Sequence, residues 1–412
     1  MLNILIQALT LGSGLLINFF IPLLFGLEKY GLFIKANILV FLFHKFTDVI
    51  SEPLISNVDK KALLPVSFAV GAFVLVLFSC TNIFFSAGSP WLLASMVYSS
   101  SVLLVMYAQR LQMAIVTYLS VFIAIFIILL SVAYFNLYNI TITEIIGITN
   151  SLPATAWLLF LLLNKKIEVS FNGIWHSVAS MLRIIPTLFS LTLVSNLFTN
   201  ILPFYLSFIF PPQVLGLFRV QVSIVQSVVA IFPVNVKAIS AHFVQAESDE
   251  FLLEKMTRLS LNYFYLLAFV AYLFIGLYKG YQEFAQVFFI LPVLHLSVIL
   301  ERYLLGIKRR QQLITINVIV SIFACIAVLK VDTLPQMILL YASGIAAYLM
   351  LMLTTISFRL KRMIALIALS APLSVFVAMN SVSLGCLMLT ACIFSVFALS
   401  PIDKNAISLL RK

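Results

Sequence analysis

Apolar stretches of about 20 residues follow one another along nearly the whole chain, separated by short polar breaks. Each is long enough to cross a hydrocarbon core of about 30 Å as a helix, and in hydrocarbon only helices and closed barrels satisfy their own backbone. No alternation of period two dominates, so the stretches read as helices and not as barrel strands. A soluble domain is excluded: 63% of the 412 residues are hydrophobic, 9% are charged, and the mean hydropathy is +1.15. The first stretch has no basic segment before it and no small-residue cleavage site after it, so it reads as a span and not as a cleaved signal.

The spans are placed at 4–25, 31–55, 63–85, 91–108, 115–135 and 143–163, then at 182–210, 214–239, 259–277, 283–305, 313–329 and 337–357, with two shorter ones at 363–379 and 382–399. The expected fold is an all-α polytopic membrane protein of about 14 transmembrane helices, or 12 if the last two form a re-entrant pair. Its expected organisation is an N-terminal bundle over 1–163, a linker over 164–181, a C-terminal bundle over 182–358, and two additional helices with a tail over 359–412. In the linker, Phe171, Ile174, Trp175 and Val178 recur at helical spacing beside Lys165 and Lys166, which predicts an interfacial amphipathic helix. The stretch 241–256, with Glu247, Asp249, Glu250 and Glu254, reads as a solvated helical connector.

Of the 25 Lys and Arg residues, sixteen fall in one alternate set of breaks, among them Lys60, Lys61, Arg110, Lys308, Arg309 and Arg310, and only Lys29, Lys279 and Lys330 fall in the other. The positive-inside rule then puts both termini in the cytoplasm. The net charge of +11 is spread along span ends and forms no soluble basic patch, so no nucleic-acid partner is expected. Cys80, Cys325, Cys386 and Cys392 lie inside apolar runs without paired spacing, which predicts packing roles and neither a disulfide frame nor a metal site. No P-loop, nucleophile elbow or zinc helix occurs, and no cofactor or catalytic residue is expected. Elimination favours transport. Asn139-Ile140-Thr141 matches a glycosylation sequon, a weak three-residue pattern.

The remaining six bases, Lys35, Lys45, Arg183, Arg219, Lys237 and Arg302, fall within spans. A base at the bilayer centre costs about 2.5–3.5 kcal/mol on an insertion scale, so such residues face a wet cavity or a partner, or snorkel to an interface. Lys237 and Arg302 lie near span ends, where snorkelling or pairing accounts for them. Lys35 and Arg219 occupy matched positions in a repeated hairpin: Pro22-Leu-Leu-Phe-Gly-Leu-Glu-Lys-Tyr-Gly31-Leu32-Phe33-Ile-Lys35 is echoed by Pro203 and then by Pro211-Pro212-Gln-Val-Leu-Gly216-Leu217-Phe218-Arg219. Each hairpin closes one span, turns in a few polar residues and opens the next, as the first hairpins of two halves facing a membrane path would. Both bases read either as cavity residues or as snorkelling to the outer interface. Arg183 stands one turn into the seventh span. Guanidinium and ammonium groups both suit phosphate or carboxylate. Lys45, Asp48 and Glu52 share one face of the second span beside His44, as an internal salt bridge or as a titratable site whose carboxylates couple to an ion. His295, mid-span in the tenth helix, reads as a hydrogen-bonded structural histidine. Pro22, Pro186, Pro203, Pro233 and Pro292 lie within or near span ends, where a kink is permitted.

Carried by Pro22 through Gly31-Leu32-Phe33, by the echo from Pro203 to Phe218 and by basic-ended spans over the whole length, the chain resembles the multidrug/oligosaccharidyl-lipid/polysaccharide exporter superfamily, specifically its polysaccharide-transport branch of Wzx-type O-antigen repeat-unit flippases. The resemblance implies two six-helix bundles in pseudo-two-fold repeat around a central cationic cavity. It implies a flippase in the bacterial inner membrane, moving undecaprenyl-pyrophosphate-linked oligosaccharide between leaflets by alternating access and ion-coupled antiport. Lys35, Arg219, Arg183 and Lys45 would hold the pyrophosphate or acidic sugars, and Asp48 and Glu52 would couple an ion. Membrane lipids, a polysaccharide polymerase and a chain-length regulator are the implied partners. Against a multidrug or cation antiporter of the same fold stands the first span, which holds Asn18 and no carboxylate. An integral membrane polymerase or ligase for the same sugars is the alternative of a different class, and it requires a sizeable external catalytic loop.

Overall fold

Hydrocarbon offers a backbone amide no partner outside the protein, and the structure, a computed structural model, meets this with helices alone among the residues it describes. Those are 18, 21–86, 88–109, 111–134, 141–164, 169–191, 193–230, 250–277, 286–306, 309–356 and 361–380. The expected span 382–399, most of the span 4–25, Lys165, Lys166, Lys237 and Asn139 lie outside them. Among the described residues, five helical segments are long and apolar enough to cross a membrane: Leu63–Phe85, Ile142–Leu163, Phe288–Leu305, Arg310–Val328 and Leu334–Thr355. The chain is a membrane protein.

In order, the helices are α1 (Ile21–Phe25), α2 (Leu27–Asn57), α3 (Leu63–Phe85), α4 (Pro90–Gln109), α5 (Leu111–Tyr134), α6 (Ile142–Leu163), α7 (Ile174–Leu191), α8 (Leu193–Asn196), a π-helical turn at Leu197–Ile201, α9 (Leu202–Leu206), α10 (Pro212–Ala230), α11 (Glu250–Leu277), a 3₁₀ turn at Gln286–Ile290, α12 (Leu291–Gly306), α13 (Arg310–Val328), α14 (Leu334–Thr355) and α15 (Lys361–Asn380). The α1–α2 turn is tighter than the sequence suggests. Gly26 takes φ 83°, its amide closes on the Pro22 carbonyl at 2.9 Å, and α2 begins at the next residue, so Glu28 falls in the first turn, where a carboxylate favours the helix dipole. Thr141, the third residue of the sequon, instead caps α6: its hydroxyl accepts from the Glu144 amide at 3.3 Å, and the Glu144 carboxylate accepts from the Thr141 amide at 2.8 Å. Thr333 and Gln336 form the same box at the head of α14.

The chain divides into two compact units, Met1–Ser223 and Ile224–Lys412. In the first, one apolar cluster joins α2, α3, α4, α6 and α7: Leu54 and Ile50, Leu63 and Val70, Val102 and Met106, Ala154 and Leu161, Val178 and Met181. Val178 and Met181 belong to the amphipathic stretch, whose helix starts at Ile174 and runs on to Leu191, while Trp175 on its other face is 83% exposed. Before α7 begins, the Ser170 amide donates to the Lys61 carbonyl at 2.9 Å, strapping the chain that leaves α6 to the α2–α3 turn.

In the second unit, α11 packs on α12, and α14 packs on α12, α13 and α15. Its α11 joins the end of the predicted helical connector to the span that follows: it starts at Glu250, and Glu254 and Arg258, one turn apart, form an ion pair that lets the charges continue a helix. His295 is fully buried, bonds the Ser260 hydroxyl through Nδ1 and lies against the Phe264 ring at 4.3 Å, which agrees with a structural role. Asn317 of α13 donates to the Tyr348 hydroxyl of α14 at 3.2 Å. Two cysteines correct the expectation of packing: Cys80 and Cys325 are exposed, on apolar helix faces with neighbours such as Leu77 and Ile322 that point the same way. Of the prolines, Pro186 sits inside α7, whereas Pro203 and Pro292 follow closely on the π-helical and 3₁₀ turns, where the missing amide cannot continue a regular ladder.

Removing the α14 cap provides a test of the local reading. Thr333→Ala is expected to cost about 0.5–2 kcal/mol and to lower the thermal unfolding midpoint of the detergent-purified protein, while Thr333→Ser leaves it near the parent value. Equal midpoints for both variants would contradict the capping box.

Candidate substrate site at a helix crossing

The site is set by two glycines. A Cβ at Gly31 would lie 1.7 Å from the carbonyl oxygen of Pro212, and a Cβ at Gly216 would lie 2.7 Å from that of Leu27 and 3.2 Å from the Cα of Gly31. Helices α2 and α10 therefore cross backbone on backbone, which only hydrogen at these two positions permits. These are the glycines of the repeated Gly-Leu-Phe, so the echo seen in the sequence is, in space, the point where its two copies touch. At the same seam the Gln213 side-chain amide approaches the Glu28 carboxylate at 3.5 Å.

The bases follow from the crossing. Lys35 stands four residues after Gly31 and Arg219 three after Gly216, spacings that put each on the helix face that carries its glycine. Both are partly buried. The Arg219 guanidinium lies over the Phe41 ring of α2, its central carbon 5.4 Å from the ring centroid, a cation–π contact that holds the charge. Phe33 meets Phe41 edge-on at 5.9 Å and so fixes the ring beneath the guanidinium. Tyr30, fully buried on α2, donates its hydroxyl to the Asn18 side-chain carbonyl at 2.7 Å, joining the chain ahead of α1 to the same region.

The other predicted residues are dispersed. Lys45 lies ten residues beyond Lys35, about 15 Å along α2, and is partly buried. Its neighbour His44 bonds Ser100 of α4 at 2.9 Å, and Phe46 stacks on Phe189 of α7 at 4.4 Å. Arg183 is exposed on α7. The backbone of α2 passes through Asp48 and Glu52, whose side chains lie outside the described residues. Among the described residues no group of three or more His, Cys, Asp or Glu is placed to hold a metal ion.

Sequence reasoning missed Phe41 and Asn37. Phe41 is one of 37 phenylalanines and carries no signal by type. Asn37 is a polar residue immediately before the apolar run from Ile38 to Phe43, a signal that was available.

Comparison by sequence finds no matching family model and no significantly similar curated protein. Comparison of structures does find a likeness. A chain described as a lipid II flippase MurJ in an inward closed conformation aligns with a TM-score of 0.64 at 15% identity, over 96% of this chain and 98% of that one. The chain therefore has the fold of that flippase along nearly its whole length.

The crossing makes a geometric prediction. With the four native cysteines replaced by serine, Glu28→Cys together with Gln213→Cys is expected to form a disulfide on mild oxidation, detected by mass spectrometry of the digested protein. Adding Gly31→Val, which drives α2 off the Pro212 carbonyl, is expected to reduce the yield several-fold. Undiminished cross-linking in the Gly31→Val background would overturn the crossing.

Proposed function

We propose that the protein is a flippase for lipid-linked oligosaccharide, with the undecaprenyl-pyrophosphate-linked repeat unit of O-antigen or another surface polysaccharide as its substrate. The observation that carries the reading is the partly buried base pair, Lys35 and Arg219, on two helices that meet at Gly31 and Gly216, in a chain with the fold of a lipid II flippase. A guanidinium and an ammonium together match the charge of a pyrophosphate, and the lipid tail stays in the bilayer while the head crosses. No covalent chemistry is required.

In this reading Arg219 is the bidentate anchor and Lys35 a mobile point charge, with Lys45 and Arg183 as further stations for acidic groups along the path. Asp48 and Glu52 couple an ion. The cytoplasmic side is the one that bears the sixteen bases, in a bacterial inner membrane, and a polysaccharide polymerase and a chain-length regulator act on the delivered unit. A drug or cation antiporter finds less support at the crossing, where both buried charges are positive.

Loss of a charge-assisted contact of about 1.5–3 kcal/mol translates into a tenfold or greater loss of transport. Lys35→Ala and Arg219→Ala are each expected to reduce surface polysaccharide by about that factor when they complement a deletion strain, at unchanged protein level, and Arg219→Lys is expected to restore only part of it. Normal polysaccharide in both alanine variants would sink the assignment. For coupling, uptake in vesicles is expected to respond to an imposed pH or sodium gradient and to lose that response in Asp48→Asn or Glu52→Gln. Indifference of the parent protein to both gradients would leave those carboxylates without the role.

A further inference from the structure

Asn37 breaks the helix that carries Lys35. Within Leu27–Asn57 it is the residue with non-helical backbone, at φ −121° and ψ 16°, and its side chain is only 3% exposed. A kink in an α-helix has an identifiable cause, and insertion of a side chain into the i to i−4 ladder is one of them. Here the Asn37 side-chain amide donates to the Phe33 carbonyl at 3.1 Å, the very acceptor that the backbone amide of residue 37 uses in an unbroken helix. The same NH₂ group donates to the Thr143 hydroxyl at 3.1 Å, and the Asn37 side-chain carbonyl accepts from the Ser89 amide at 3.1 Å. Ser89 immediately precedes α4 and Thr143 is in the first turn of α6. One carboxamide therefore satisfies the break in α2 and ties it to the heads of two other helices.

The break also separates two sets of contacts, bridged by the Arg219 guanidinium of α10, which reaches past it to the Phe41 ring. Before it, the arm 27–36 meets Pro212, Gln213 and Gly216 at the crossing and carries Lys35. After it, His44 is bonded to Ser100, and Ile50 and Leu54 lie in the apolar cluster with Val102 and Met106 of α4. The arm is held by the crossing and by the Tyr30–Asn18 bond, and the run beyond the break by α4 and the apolar cluster, so the break is where α2 bends when the crossing opens. Few dihedrals need change, as in other hinges that sit at the end of a regular element.

We infer that Asn37 is the hinge on which the 27–36 arm turns, and hence a positioning residue that sets where Lys35 stands relative to Arg219. The mechanical part stands on the geometry alone; the meaning of Lys35 rests on the flippase reading. With all three hydrogen bonds made, the arm is held against α10. Loss of any of them leaves a buried polar group without its partner and shifts the balance toward an arm that has left the crossing.

The test uses the full chain in membrane vesicles, with Cys80, Cys325, Cys386 and Cys392 replaced by serine and one reporter cysteine introduced. Ile34→Cys reports on the arm, where Ile34 is 2% exposed, and Leu39→Cys reports on the far side of the break, where Leu39 is 5% exposed. Labelling by a membrane-impermeant maleimide is the readout. Thr143→Val, which removes one acceptor and keeps the shape, is expected to raise labelling of the arm cysteine on the order of fivefold, and Asn37→Ala more, with the Leu39→Cys rate unchanged in both. An unaltered arm rate in Thr143→Val, or an equal rise at both reporters, would overturn the hinge. Should Asn37→Ala fail to accumulate in the membrane, Thr143→Val decides by itself. Normal polysaccharide export in Lys35→Ala and Arg219→Ala, together with faster arm labelling in Thr143→Val, would leave the hinge standing and remove the flippase reading.

Discussion

A polar group in hydrocarbon finds its hydrogen-bond partner within the protein or not at all, and that constraint orders this structure at every scale. It dictates helices. It sends the scattered hydroxyls back onto their own helices, as when Ser67 donates to the Leu64 carbonyl at 3.0 Å and Thr149 to the Ile145 carbonyl at 2.9 Å. It leaves a small set of polar side chains that bridge helices instead: Trp157 to Ser120 at 2.8 Å, Asn317 to Tyr348, and Asn37 to Thr143 and Ser89. Apolar faces are interchangeable with lipid as packing surfaces, so these bridges carry much of the information about which helix neighbours which.

The same constraint explains why the crossing of α2 and α10 sits where the charges do. Two helices that approach backbone on backbone exclude side chains from the contact, and the next residues along each helix must spread away from it. Lys35 and Arg219 stand at that divergence. A guanidinium there needs compensation, and the Phe41 face supplies part of it without neutralising the charge. Glycine, base and ring thus form one arrangement: the glycines bring the helices together, the bases follow from the spacing, and the aromatic pair Phe33 and Phe41 holds one base in place.

Much of this was legible in the chain. The apolar runs located the helices, because the length a helix needs to cross hydrocarbon is written directly in residue count. The repeated Gly-Leu-Phe was visible as well, though its meaning was not: nothing in the string says that Gly31 and Gly216 are in contact with each other's helices. Elements read as separate proved continuous where charges pair one turn apart, as Glu254 and Arg258 do, and where an amphipathic stretch and a span fuse, as they do from Ile174. Cys80 and Cys325 showed the limit of an apolar pattern, since a face turned to lipid and a face turned to protein have the same composition. The role of Asn37 was hidden for another reason. Its partners are 52 and 106 residues away in the chain, and a kink leaves no mark on composition.

The run from α7 to α9 has a mechanical consequence of its own. One end is moored by the Ser170 amide on the Lys61 carbonyl, and near the other end the ladder widens into the π-helical turn at Leu197–Ile201. A widened turn holds one surplus residue within the helical ladder, and Pro203, which has no amide with which to continue that ladder, follows it closely. The segment from Pro203 to the Pro211-Pro212 corner is thereby offset by one residue, roughly 100° about the axis, from the face it would present on an unbroken α-helix.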